Sequence, residues 1–93
     1  MTRIKIKIIV WDLWNLEHIK KHKVEVSEIE EAIKNISYHK RTHKERYLVV
    51  GRSGKRIISS VLMRQRLSDY YLVTARDASK KERKRVYEKE NKK

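Results

Sequence analysis

Four side chains in this sequence are of types that move a proton or hold charge beside a phosphate: His22, Arg64, Arg76 and Glu82. An imidazole titrates near neutral pH, so His22, flanked by Lys21 and Lys23, is a candidate proton carrier. Arg76 stands three residues before Ser79, which with Glu82 spells the S-x-x-E signature of a helix start. An Arg at such a junction meets an anion together with the free N–H groups of the first helical turn. Each residue also has a plainer reading. On that reading His22 caps or packs at a helix C-terminus, Arg76 pairs with Asp77, Glu82 or a first-helix carboxylate, and Glu82 closes its capping box.

A wider set of cations surrounds these. Lys55 and Arg56 open one strand-like run and Arg64 and Arg66 close it, while Lys21, Lys80, Lys81 and Arg83 flank the candidates above. Together they are candidate contacts to a polyanion, against the plainer reading of scattered solubilising charge. His18/His22 and His39/His43 have the i, i+4 spacing of zinc ligands on a helix. With no Cys and no third ligand in reach, no metal and no cofactor is expected. Trp11 and Trp14 could stack on bases but are expected in the core. Ser59, Ser60 and Thr74 read as sheet residues.

The elements that must position these groups follow from periodicity. Ile4, Ile6, Ile8 and Val10 alternate with Arg3, Lys5 and Lys7, the period of a half-buried strand. Asp12 is a candidate N-cap for a helix over 13–23. Ser27 and Glu30 form an S-x-x-E box, after which Ile29, Ala32, Ile33 and Ile36 recur at helical spacing. Strands are predicted over 46–52, 55–64 and 69–76, with Ser53-Gly54 as a tight turn and Tyr70 and Tyr71 on opposite faces. A basic helix then runs from Ser79 to about residue 90. The order β-α-α-β-β-β-α predicts one small α+β domain over residues 1–93 with an antiparallel sheet packed by helices, and residues 88–93 as a fraying basic tail.

Composition agrees with a single core and a polyanionic partner. The 93 residues carry 25 Lys and Arg against 12 Asp and Glu, a net charge of +13. Residues 1–37 hold 7 basic and 6 acidic side chains, residues 38–77 hold 10 and 3, and residues 78–93 hold 8 and 3, so the positive field belongs to the middle and the end. No run approaches the roughly 20 apolar residues of a membrane span. The absence of Cys excludes disulfide and thiolate chemistry and leaves a cytoplasmic location as the default.

Three blocks resemble a known family, the BrnT toxins of bacterial type II toxin–antitoxin systems. They are Trp11-Asp12 with Asn15-Leu16-Glu17-His18-Ile19 and Lys21-His22-Lys23-Val24, then Arg46-Tyr47 to Gly51-Arg52, then Tyr70 to Arg83 with Tyr87. The resemblance implies a RelE-like ribonuclease fold and metal-independent RNA cleavage by 2′-OH attack. It implies as partners the RNA substrate and a ribbon-helix-helix antitoxin, possible higher-order assembly on operator DNA, and no membrane. In that frame His22, Arg64, Arg76 and Glu82 become catalytic candidates, and Lys21, Lys55, Arg56, Arg66, Lys80, Lys81 and Arg83 RNA contacts. The rival reading is a non-catalytic basic module that binds RNA, DNA or ribosomes. One departure stands out: the family has Gly after the His of the first block, where this chain has Lys23.

Overall fold

A computed structural model describes residues 4–43 and 45–91. The order is β1 (Ile8–Val10), α1 (Leu13–Lys21), α2 (Val26–Lys34), β2 (Ile36–His43), β3 (Arg46–Ser53), β4 (Arg56–Arg64), β5 (Asp69–Asp77) and α3 (Lys80–Asn91). The chain is α+β, as expected, but the sheet is mixed and has five strands in the order β1-β5-β4-β3-β2. After β1 the chain crosses through α1 and α2 to the far edge and returns by three hairpins. That brings β5 alongside β1 and parallel to it, with Ile8, Ile9 and Val10 opposite Asp69, Tyr70 and Tyr71. The expected all-antiparallel sheet fails at this one pair.

β2 is the element that periodicity missed. Only Ile36 and Tyr38 in it are apolar, because it is an edge strand. Lys40 and Arg41 lie on it, a common guard against edge-to-edge pairing. Its strand geometry also removes the helical premise for His39 and His43, and among the described residues no three His, Cys, Asp or Glu side chains gather as metal ligands. At the start, only Ile8–Val10 pairs as strand, while Ile4 and Ile6 pack half-buried against the core. Arg3 lies outside the described residues.

α1 is fixed by a reciprocal cap. Asp12 Oδ1 accepts from the Asn15 backbone at 2.9 Å, and the Asp12 backbone donates to Asn15 Oδ1 at 2.8 Å. Asn15 is fully buried and donates to the carbonyls of Val10 and Leu72 at 3.0 and 3.1 Å, tying the helix to β1 and β5 at once. The helix ends at His22 in a Schellman turn: Lys23 N–H reaches Lys20 O and Val24 N–H reaches Ile19 O. Lys23 itself is left-handed, with φ of 57°. The residue departs from the family pattern, but the turn is the one a glycine would make.

α2 begins two residues earlier than the Ser27 box predicted. Glu25 is its N-cap, and the Glu25 backbone donates to Glu28 at 2.9 Å. The turn after α1 delivers the chain directly to Glu25, leaving Ser27 inside the first turn. Ile29 and Ala32 are buried, and the helix sits so close to β3 that a Cβ on Gly51 would lie 2.0 Å from the Ala32 carbonyl oxygen.

The sheet has two faces. α1 and α2 cover one, over Ile58, Leu62, Val49, Tyr70, Leu72 and Ala75. α3 covers one end of the other, where Val86 and Ala78 meet Tyr38, Val50 and Ile57. The tail expected to fray is helix as far as Asn91: Glu90 pairs with Arg52 at 3.0 Å and Lys89 donates to the Ser37 carbonyl. Lys92 and Lys93 lie outside the described residues. Among the described residues no helix is long and apolar enough to cross a membrane.

Candidate active site

β5 carries a bulge that decides where the site lies. Val61 faces Thr74 and Leu62 faces Leu72, so Val73 has no partner and the alternation of faces shifts by one residue. Tyr70, Leu72 and Ala75 therefore all enter the core beneath α1 and α2. Arg76 turns to the α3 side, opposite Ser59, while Thr74, opposite Val61, reaches His18 of α1 at the open edge of β5. In an unbroken strand Arg76 would share a face with Tyr70.

Arg76 then meets the start of α3. Ser79 and Glu82 form the predicted box, with Ser79 N–H donating to Glu82 Oε1 at 2.7 Å and Glu82 N–H donating to Ser79 Oγ at 3.3 Å. The same carboxylate receives Ser59 Oγ at 2.7 Å, Arg76 Nη1 at 3.0 Å and Arg76 Nη2 at 3.3 Å. Burial alone would raise the Glu82 carboxyl, but the Arg76, Ser59 and Ser79 donors outweigh it and bring it down to about 2. Glu82 is thus an anion at neutral pH, unable to supply a proton. Both plainer readings of the pair hold: Glu82 closes its cap and Arg76 pairs with it. Arg76 also donates to the Asp77 carbonyl at 3.0 Å. Three of its five N–H donors are so committed. Its side chain keeps 45 % exposure against 13 % for Glu82, so the cation is held in place yet faces outward.

α1 runs beside β5 in the same direction. Tyr71 Oη donates to Asp12 at 2.9 Å, Asn15 reaches Leu72, and His18 Nε2 lies 3.0 Å from Thr74 Oγ1, two residues before Arg76. His22 is one helical turn further on, its ring 5.2 Å from that of His18. His18 in turn stacks on Trp14 at 4.9 Å, the two ring planes nearly parallel. Trp14 is therefore not a core residue; it is 57 % exposed, whereas Trp11 packs against the core. Sequence reasoning sets His18 with His22 as possible zinc ligands and Trp14 in the core, and misses the stack that joins these rings. The signal that would have found them is the i, i+4, i+8 spacing of rings at 14, 18 and 22.

The remaining predicted residues divide between two ends of the sheet. Lys80, Lys81 and Arg83 open α3 beside Arg76, and Lys55 is exposed in the turn at the same end of the sheet. Lys21 is exposed at the end of α1. Arg56 is not available to a ligand in the way expected: its guanidinium is forked between Glu28 at 2.7 Å and Asp77 at 2.6 Å. Those hydrogen bonds, Asp77's first, raise Arg56 above its ordinary value, and its partners are lowered in return.

Arg64 does not join Arg76. It is paired with Tyr70 and shares the opposite face of the sheet, five residues along β4 from Ser59, about 16 Å. There it lines a cavity of about 210 Å³ with Lys5, His39, Tyr47, Leu67 and Tyr70, and donates from Nε to the Arg66 carbonyl. A single pocket containing Arg64, Arg76 and His22 is absent, because the bulge and the length of β4 separate the two guanidinium groups.

No family model and no curated protein sequence matches the chain. Among solved structures, the chain is similar to the ribonuclease toxin BrnT of Brucella abortus, with a TM-score of 0.61 and 21 % identity. The match covers 84 % of this chain and all of that one, so the two share a fold.

Proposed function

We propose that the protein is a metal-independent endoribonuclease of the toxin type, restrained by an antitoxin. The observation that carries this reading is the Arg76 guanidinium, held by Glu82 and Asp77 yet exposed, at the end of β5 that α1 approaches with its imidazoles. The fold shared with a ribonuclease toxin supports it. In the reaction an imidazole of α1, His22 with His18 behind it, takes the proton from a ribose 2′-OH. The O2′–P bond then forms as the P–O5′ bond breaks, and the departing O5′ takes up a proton from water. The products are a 2′,3′-cyclic phosphate and a 5′-hydroxyl. Arg76 stabilises the extra phosphate charge, which a guanidinium does through two oxygens at once.

Glu82 serves as a positioning residue, since its carboxylate is ionised and filled with donors. Lys21, Lys55, Lys80, Lys81 and Arg83 guide the RNA backbone at this end, and Arg64 and Arg66 contact it from the other. The partner is a ribbon-helix-helix antitoxin whose acidic segments match the positive field, and the setting is the cytoplasm, where both RNA and operator DNA are met.

The separation of Arg64 from Arg76 favours a second reading, a basic module that binds RNA without cutting it. One experiment divides the two. Purified protein incubated with RNA and with DNA in excess EDTA is expected to fragment the RNA alone. Retardation of RNA without fragments, weakening steeply as salt rises, would establish the binding module instead.

A further inference from the structure

The outer side of α1 carries a ring that the proposed reaction does not use, Trp14, stacked in a row with the two imidazoles. Trp14 and His18 stack with ring centroids 4.9 Å apart and planes only 9° from parallel. His22 continues the row at 5.2 Å, tilted by 60°. The row is anchored at its middle, where His18 Nε2 meets Thr74 Oγ1 at 3.0 Å, and open at its beginning, where Trp14 and its neighbour Leu13 are 57 % and 76 % exposed. Among the described residues His18 is the one ring stacked on Trp14. A large indole is thus fixed in orientation with most of its surface in water.

Such a surface on a soluble chain asks for an occupant. The charge around it selects one. Lys20 and Lys21 stand exposed in the last turn of α1 and Lys23 follows, against one exposed acid on that helix, Glu17. A flat π-face that continues a row of rings, with cations beyond it, matches the alternation of base and phosphate in a single strand. We propose that the Trp14–His18 pair is a stacking platform for an unpaired nucleobase of a single-stranded nucleic acid, its backbone running along Lys20, Lys21 and Lys23. The platform lies upstream of Arg76 along the direction shared by α1 and β5, so it sets which nucleotide reaches that end. A base seated on Trp14 fixes the register of the strand.

This inference rests on the nucleic-acid reading of the protein but not on its cutting RNA. The test therefore uses a probe that cannot be cut, a short unstructured 2′-O-methyl oligoribonucleotide, titrated into the full chain. Trp14 fluorescence is expected to be quenched on binding, with the Trp11 signal isolated in Trp14→Phe. Trp14→Ala is expected to lower affinity roughly tenfold while leaving the salt dependence unchanged. An oligonucleotide carrying one abasic position is expected to lose affinity for the wild type and little for Trp14→Ala. Trp14→Phe, which retains a smaller ring, is expected to fall between the two and guards against a folding defect. Equal affinity of wild type and Trp14→Ala, or quenching that persists unchanged in Trp14→Phe, overturns the platform. So does an abasic probe bound as tightly as the intact one. If quenching and the Trp14 dependence hold while RNA is never fragmented, the ribonuclease reading alone falls.

Discussion

Arg76 and Glu82, six residues apart, face each other through two hydrogen bonds of 3.0 and 3.3 Å across the junction between β5 and α3. The same carboxylate caps the helix and takes the Ser59 hydroxyl. One side chain thus ties a strand end, a helix start and the neighbouring strand to the guanidinium that the proposed chemistry needs.

Arg76→Ala is expected to reduce RNA cleavage about 100-fold or more, the scale on which a donor to a developing oxyanion acts. Arg64→Ala, altering the opposite end and face, is expected to change the cleavage rate little. It is expected to reduce the salt dependence of RNA binding by about one unit if it contacts a phosphate. Single-turnover kinetics paired with binding at several salt concentrations separate the two effects. Equal losses in both variants would put them in one site after all.

Glu82 sets an acid limit on stability. Its carboxyl lies at about 2 in the folded chain against an ordinary 4.5, so the folded state binds the proton less readily than the unfolded one. Its contribution is therefore complete above about pH 4.5 and is lost as pH falls toward 2. Glu28 and Asp77, lowered beside Arg56, act in the same direction. Thermal melts across this range are expected to fall more steeply for the wild type than for Glu82→Gln, whose amide does not titrate.

Lys23 holds a left-handed backbone at φ 57°, which a side chain with a Cβ disfavours. Lys23→Gly is expected to stabilise the chain by about 1 kcal/mol, less the entropy that glycine adds to the unfolded state. A higher denaturant midpoint at unchanged slope would record it.

Gly51 is where α2 rests on β3. A Cβ there would meet the Ala32 carbonyl oxygen at 2.0 Å and that of Asn35 at 2.8 Å, both backbone atoms that cannot rotate aside. Gly51→Ala is expected to cost about 3 kcal/mol or more, at the upper end of overpacking. Gly54→Ala makes a useful contrast. It meets nothing within 4 Å, and its cost is confined to its φ of 60°.

The sequence by itself carried the elements whose signals are local. Asp12 and Ser79 are N-caps because their side chains reach only three residues ahead, and strands β3, β4 and β5 carry apolar runs because each is flanked on both sides. The α+β class and the pairing of Arg76 with Glu82 were legible for the same reason. β2 was not, since an edge strand with solvent beside it has no need of apolar residues. Nor could the Ser27 box compete with a turn that delivers the chain to Glu25. The tertiary structure alone decided which groups meet. One unpaired residue, Val73, reverses the faces of β5 and sends Arg76 away from Tyr70 and Arg64, while the parallel β1 edge leaves room for α1 to lay His18 against Thr74. Side-chain type is written in the chain. Its direction depends on hydrogen-bond register between distant strands, which no local pattern encodes.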